Sequence, residues 1–509
     1  MPASPLLEKI TKKIEKADLS GGFSKAGTII ELRDGIAMIQ WLADIAFNEI
    51  VEFPKNILGV VLDLSAKTTG VLILGDASQL ALGDRVIPTG KVLSIPVGEA
   101  YIGRVVDGFA KPIDGKWEIV ASNRGLVEAL APKVMDRQEV TQPVKTGIVA
   151  LDSMIPIGHG QRELIIGDRQ TGKTTLALDI LINQAKEQED VIGIYVNIGQ
   201  KNASAKHLVQ TLKEHHAMDQ TIVVNAAASD SAAMQYLAPY VGCTLAEYFM
   251  HQGKKVIIVY DDLTKHAIAY REISLLLHRP PSREAYPGDI FYLHSRLLER
   301  AAQLNKQLGG GAITALPIVE TLEGDISAYI PTNIISITDG QIYLNEDLFH
   351  EGTRPAIDVG LSVSRVGSTA QTALMKKVTG KLRIQLASFR ELASFLQFGS
   401  EVNEETAIKI KKGQILTELF KQSQHDLLSP SQEIVLLYAW INDYLIDFPL
   451  SDIPAIKQSL FLKLEQQYSD LKISLEQDEI FNTELEKQII KLIKEVLKEF
   501  PLLFPWKSV

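Results

Sequence analysis

Between Glu163 and Thr175 an apolar stretch, Leu164-Ile165-Ile166, runs into Gly167-Asp168-Arg169-Gln170-Thr171-Gly172-Lys173-Thr174-Thr175. The order is strand, glycine-bracketed loop, helix, with Lys173 and Thr174 at the spacing of a phosphate-binding P-loop. Each part has a physical task. Bare loop amides face phosphate oxygens, and the start of the helix at Lys173 adds partial positive charge. Lys173 neutralises the terminal phosphates, and Thr174 offers a hydroxyl to Mg²⁺. A chance glycine-rich turn would not be framed by an apolar strand before it and the amphipathic run Leu176–Ile182 after it.

The run Val256-Ile257-Ile258-Val259-Tyr260-Asp261-Asp262 ends in carboxylates. As a buried parallel strand it would carry Asp261 to the sheet edge where the P-loop lies, there to hold a water on Mg²⁺. The competing reading is a carboxylate capping a helix that begins at Leu263. Hydrolysis also needs a group to polarise the attacking water, often a glutamate at the end of a neighbouring strand. Here the strand Ile192–Ile198 leads instead to Gly199-Gln200-Lys201. An amide orients water but cannot take its proton. Gln200 therefore points to a nucleotide binder rather than a fast hydrolase, although small GTPases do use glutamine.

Arg365 sits in Gly360-Leu361-Ser362-Val363-Ser364-Arg365-Val366-Gly367. Small neighbours suit an arginine that reaches into another subunit, and they equally suit a solvent-facing loop arginine. The proline-stiffened loop Pro280–Asp289 has no chemistry of its own. His215-His216 read as a solvated helix end and Cys243 as core.

The chain has 509 residues, enough for about three domains. Fifty-two Lys and Arg against 62 Asp and Glu give a net charge of −10, so no overall field draws it onto nucleic acid or anionic lipid. One cysteine forms no internal disulfide and suits a reducing compartment. No run approaches the length of a membrane span. Met1–Ser20 mixes acidic residues with lysines and has no apolar core, unlike a transit or signal peptide.

Four segments emerge. Residues 1–25 hold a short amphipathic pattern at Leu6, Leu7, Ile10 and Ile14, a docking helix or a frayed tail. Residues 26–92 read as short strands of a β-barrel, with a hairpin turn at Arg33-Asp34-Gly35. Residues 93–370 alternate strands (Leu164–Ile166, Val191–Ile198, Thr221–Asn225, Val256–Tyr260, Ala312–Val319) with helices (Leu176–Glu189, Ala203–His215, Ala232–Gln252, Ser295–Leu308), which predicts a RecA-like parallel sheet covered on both faces. Residues 371–509 carry helical periodicity at Leu382–Phe398, Glu405–Lys411, Gln414–Gln424, Gln432–Tyr444, Pro454–Ser469 and Glu479–Phe500, which predicts a bundle.

These motifs resemble those of the alpha-subunit family of F-type ATP synthases over nearly the whole chain. The likeness rests on Gly158–Thr174, Ile198–Lys201, Tyr260–Leu263, Arg283–Ala302, Ile313–Ile342 and Val359–Gly367. It implies a ring of alternating alpha and beta subunits around a gamma shaft, with peripheral stalk subunits, on the cytoplasmic face of a bacterial inner membrane and coupled to H⁺ or Na⁺ movement. The membrane would be met only through the ion-translocating sector. By resemblance the chain binds Mg-ATP without turning it over, and Gln200 stands where the catalytic subunit has its glutamate. Arg365 matches the arginine lent to the adjacent catalytic site, and Ser362 a serine needed for activity. Arg354, Pro355, Gln422 and Gln424 match the adenine pocket, and Pro280–Asp289 the surface facing gamma. The chain departs from the family at His159, at Asn202-Ala203-Ser204 and in Met1–Ser20, all outside the phosphate loop. A catalytic beta-type or secretion-system ATPase would share the plan but place glutamate at Gln200. A ring RNA translocase would line its barrel with basic and aromatic residues.

Overall fold

Glycine and aspartate punctuate the first part of the chain into short strands whose side chains alternate in and out. The computed structural model describes residues 26–42, 44–187, 190–396, 404–477 and 482–500. The amphipathic segment expected around Leu6 to Ile14 lies outside them. The described chain up to Ser94, with Ser231–Ala233 and Glu272–Arg279, forms one compact unit, and the remainder forms a second.

In the first unit β1 (Gly27–Arg33), β2 (Ile36–Gln40), β3 (Glu49–Phe53), β4 (Ile57–Leu64), β5 (Thr68–Ile73) and β6 (Arg85–Val92) close a barrel in the order β1-β2-β5-β4-β3-β6. Ile29, Ala37, Ile39, Val51, Phe53, Val61, Val71 and Val86 fill it. Asp34 and Gly35 both take positive φ, as the tight turn between β1 and β2 requires. The strand β3 was not legible, because Glu49 occupies an inward position. Its carboxylate is satisfied there by the amides of Ala46 at 3.0 Å and Gly90 at 2.8 Å.

In the second unit β7 (Ser94–Val97) pairs with β9 (Asn123–Leu126) beside a larger sheet. That sheet contains β8 (Val105–Asp107), β10 (Leu164–Gly167), β11 (Val191–Gln200), β12 (Thr221–Ala227), β13 (Lys255–Asp261), β14 (Ala312–Glu320), β15 (Gly340–Leu344) and β16 (Val363–Ser364), ordered β16-β15-β10-β14-β13-β11-β12-β8. Every pair is parallel except β15 with β16. Helices Lys173–Glu187, Asn202–Glu214, Ala232–Met250 and Leu263–Leu276 connect its strands. β10 and β12 are buried along their whole length and β13 along all but its first residue, as in sheets covered on both faces.

One expected helix is corrected. Ser295–Leu308 is not helical throughout; the helix spans Ile290–Leu298. The chain leaves helix to bury Arg300, whose guanidinium binds both oxygens of Glu247 and also Val127 O and Thr244 Oγ1.

Beyond the sheet the chain is helical, with Ala373–Thr379, Leu382–Leu396, Glu404–Leu419, Pro430–Ile441, Ile453–Gln467, Ser469–Glu476 and Thr483–Leu497. The two helices expected at Glu405–Lys411 and Gln414–Gln424 are one, because Gly413 does not break it. A side chain at Gly413 would collide with the ring of Phe389 on the preceding helix, so the glycine serves close packing. Apolar residues of the sheet's helices and of this bundle, from Leu176 and Ile180 to Trp440 and Leu460, belong to one core. No helix among the described residues is long and apolar enough to cross a membrane.

His159 is buried with neither ring nitrogen hydrogen-bonded among the described residues. Burial, with Lys255 nearby, pushes it down to about 3. The folded state thus binds fewer protons than the unfolded state, so stability falls with pH below the ordinary histidine value of about 6.5, by up to about 1.4 kcal/mol per pH unit until about pH 3. Replacing it by an apolar side chain, His159→Leu, should flatten that dependence in urea unfolding followed from pH 7 to 4. An unchanged slope would remove His159 as its source.

Candidate functional site

The phosphate loop leaves the carboxyl end of β10. Gln170 and Gly172 take φ of 63° and 98°, which fold the loop back over the start of helix Lys173–Glu187. The ammonium of Lys173 donates to Gly167 O at 2.8 Å and to Asp168 O. Burial pushes its pKa down, while the carboxylates of Glu320, Asp262, Asp261 and Asp168 oppose that shift. Asp168 turns its own carboxylate away from the loop's centre, accepting from Thr321 Oγ1 at 2.6 Å and Gly324 N at 2.8 Å. Thr171 Oγ1 donates to Asp168 O, and Arg169 pairs with Glu320 at 3.2 Å. Asp168 and Thr171 therefore brace the loop, while the loop's backbone and Lys173 are what a phosphate would meet.

Asp261, the last residue of β13, is buried. Three donors converge on it: Thr174 Oγ1 at 2.8 Å, Tyr195 OH at 2.6 Å and Gln200 Nε2 at 3.2 Å. The register sets Asn197 of β11 beside Asp261, which brings Tyr195 and Gln200 to the same edge. The helix-capping role weighed for Asp261 belongs to its neighbour. Asp262 accepts from Lys265 N and from Lys265 Nζ, each at 2.7 Å, and burial raises it to about 6. The hard oxygens of Thr174, open to the cavity, and of the buried Asp261 fit a small divalent cation such as Mg²⁺.

A cavity of about 1060 Å³ extends from this point, lined by Gln170–Thr175, Gln200, Asp261 and Glu320 at one end and by Phe349, Arg354, Pro355, Gln422 and Gln424 at the other. The Arg354 guanidinium lies 4.5 Å from the centre of the Phe349 ring. Gln422 acts as a clamp. Its amide accepts from Val149 N and donates to Gly147 O and Asp426 O, while its backbone N–H donates to Arg354 O.

Arg365 lies elsewhere. Ser364 pairs with Gly340 at the start of β15, whereas Gly167 pairs with Leu344 at its end. Four residues of strand, roughly 13 Å, therefore separate Arg365 from the chain's own phosphate loop. Its side chain is exposed. Ser362 is fully buried, its hydroxyl donating to Asp358 O at 2.6 Å and accepting from Tyr343 N at 2.9 Å. These bonds within its own chain fit a residue that holds the loop carrying Arg365. The loop Pro280–Asp289 is pinched by a bridge between Pro281 and Pro287 and exposes Arg283 and Glu284.

Tyr195 and Glu320 were missed in the sequence. Tyr195 is hidden inside an apolar strand, and only the β11–β13 register reveals that its hydroxyl meets Asp261. Glu320 ends β14 opposite Gly167; the apolar run Ile313–Val319 before it carries the same signal as the one before Asp261.

The ATP synthase alpha/beta family model for the nucleotide-binding domain matches residues 147–364, that for the β-barrel domain residues 23–90, and that for the C-terminal domain residues 371–496. The chain is 51% identical over 491 residues to ATP synthase subunit alpha of Clostridium botulinum (strain Langeland), covering 96% of this chain and 97% of that protein. It is 52% identical over 498 residues to ATP synthase subunit alpha of Clostridium acetobutylicum, covering 97% and 98%. Barrel, P-loop sheet and helical domain follow one another as the family models do, and the chain belongs to the alpha-subunit family of ATP synthases.

Proposed function

We propose that this chain is the non-catalytic, nucleotide-binding alpha subunit of a rotary F-type ATP synthase, binding Mg-ATP itself and lending Arg365 to the catalytic site of an adjacent beta subunit. The observation that carries this reading is the division of the sheet's two edges. The carboxyl edge gathers the phosphate-loop residues, Thr174 and Asp261, with Gln200 facing Asp261. The amino edge presents an exposed arginine that its own phosphate loop cannot use. In this reading beta subunits alternate with the chain in a ring, the Pro280–Asp289 loop faces a gamma shaft, and peripheral stalk subunits complete a complex that moves H⁺ or Na⁺. The chain then sits peripherally on the cytoplasmic face of a bacterial inner membrane and has no nucleic-acid partner.

Bound Mg²⁺ would neutralise phosphate charge and order the phosphate oxygens, held by Thr174 directly and by Asp261 through water. Lys173 and the loop amides hold the phosphates. The amide of Gln200 orients water without accepting its proton, which leaves the nucleotide intact. Arg354, Pro355, Gln422 and Gln424 form the purine end.

Two outcomes are expected. In Tyr195→Phe, Asp261 loses one of its three donors, and a hydrogen bond to a charged group is worth about 1.5–3 kcal/mol. Titration calorimetry should show Mg-ATP affinity falling roughly tenfold while affinity for ATP in excess chelator barely moves; an equal loss without Mg²⁺ would assign Tyr195 to packing alone. Arg365→Lys keeps charge but loses the planar fork. Multisite turnover of the complex assembled with beta and gamma should fall by at least about a hundredfold, with assembly and this chain's own ATP binding retained. Near-normal turnover would return Arg365 to the role of a surface loop residue.

A further inference from the structure

Two histidines outside the phosphate site meet beside the phosphate-loop helix. Asp179 lies in helix Lys173–Glu187, is buried and lines the nucleotide cavity. Its carboxyl oxygen Oδ1 is 2.6 Å from His425 Nδ1, a hydrogen bond that joins points 246 residues apart in the chain. His425 stands between Gln424 and Asp426, which line the same cavity. Its ring also packs on that of His215, with 4.5 Å between centres. His215 caps helix Asn202–Glu214, so three separate elements converge here. Burial pushes Asp179 above the usual carboxylate range, and the His425 hydrogen bond and the two nearby imidazoles oppose that shift.

The loop that carries His425 has little else to fix it. The chain from 421 to 429 belongs to no helix or strand. His425 itself takes φ of 63°, a left-handed conformation that histidine, asparagine and aspartate tolerate better than most residues. On one side Gln422 fastens the loop to the backbone of Gly147 and Val149. The His425–Asp179 bond is a second fastening, made directly to the helix that begins at Lys173. Gln424 lies between the two in the chain.

We propose that His425 is a positioning residue for the purine end of the nucleotide site: its bond to Asp179 holds Gln424 and the loop around it in a fixed place relative to the phosphate loop. This rests on the reading of that cavity as a Mg-ATP site. Lys173 and the loop amides hold the phosphates by themselves, so the pair governs how tightly the base is gripped and leaves phosphate binding alone.

The test titrates the full-length chain at pH 8 by calorimetry with Mg-ATP and with Mg-tripolyphosphate, a probe that has the phosphates and no base. His425→Asp keeps a residue that tolerates the left-handed turn but sets a second carboxylate against Asp179. Mg-ATP affinity should fall about tenfold or more while tripolyphosphate affinity stays within about twofold. His425→Asn, of the same shape, returns an N–H where Nδ1 stood and should keep Mg-ATP affinity within about threefold of wild type. Adding Asp179→Asn to His425→Asp restores a donor and acceptor in reverse and should likewise recover affinity. Unchanged Mg-ATP affinity in His425→Asp, an equal loss for tripolyphosphate, or recovery in neither pair-restoring variant would overturn the assignment while leaving the nucleotide reading standing. Absence of saturable Mg-ATP binding by the wild-type chain would overturn both. Should His425→Asp fail to fold, His425→Gly decides: glycine accepts the turn and lacks the donor, and unchanged Mg-ATP affinity there overturns the proposal.

Discussion

A carboxylate buried at the end of an apolar strand is unstable unless donors converge on it. Asp261 is satisfied by Thr174 from the phosphate-loop helix, by Tyr195 from the middle of β11 and by Gln200 from its end. These bonds tie helix Lys173–Glu187 and the strands β11 and β13 at one point. The phosphate loop cannot shift without exposing that carboxylate to unpaired burial. The same convergence fixes Gln200, whose amide nitrogen donates to Asp261 and whose side chain has no group to take a proton from water.

The sheet has two chemically different edges. At its carboxyl edge strand ends, loop amides and Lys173 gather around a phosphate site, as parallel sheets favour. At its amino edge β16 runs antiparallel to β15 and carries the chain outward at Arg365. Ser362 and Ser364 alternate inward on either side of Val363, anchoring to Asp358 O, Tyr343 N and Pro156 O. The backbone is thus held from within while the arginine projects outward. A rigid mount under a long, charged side chain is what presentation to another subunit requires.

Much of this was legible in the sequence, because it depends on local pattern. Strand, glycine loop and Lys173-Thr174 announce themselves, and so does an apolar run ending in Asp261. The parts that stayed hidden depend on register or on buried polar pairs. Tyr195 looks like one more core aromatic until β11 is set beside β13. Glu49 breaks the alternation of β3 because two backbone amides satisfy it inside. The helix expected through Leu308 ends at Leu298 because Arg300 has Glu247 as a buried partner some fifty residues away in sequence. Gly413 reads as a breaker until the ring of Phe389 is placed against it.

The central claim is that a complete nucleotide site here lacks a group to activate water. It is tested most directly by purifying the chain free of beta subunit and measuring Mg-ATP binding and steady-state turnover on the same preparation. Saturable binding with turnover far below about one per second is expected. Turnover of several per second would contradict it, and would make Glu320, which lines that cavity and ends its strand opposite Gly167 of the phosphate loop, the residue that takes the proton.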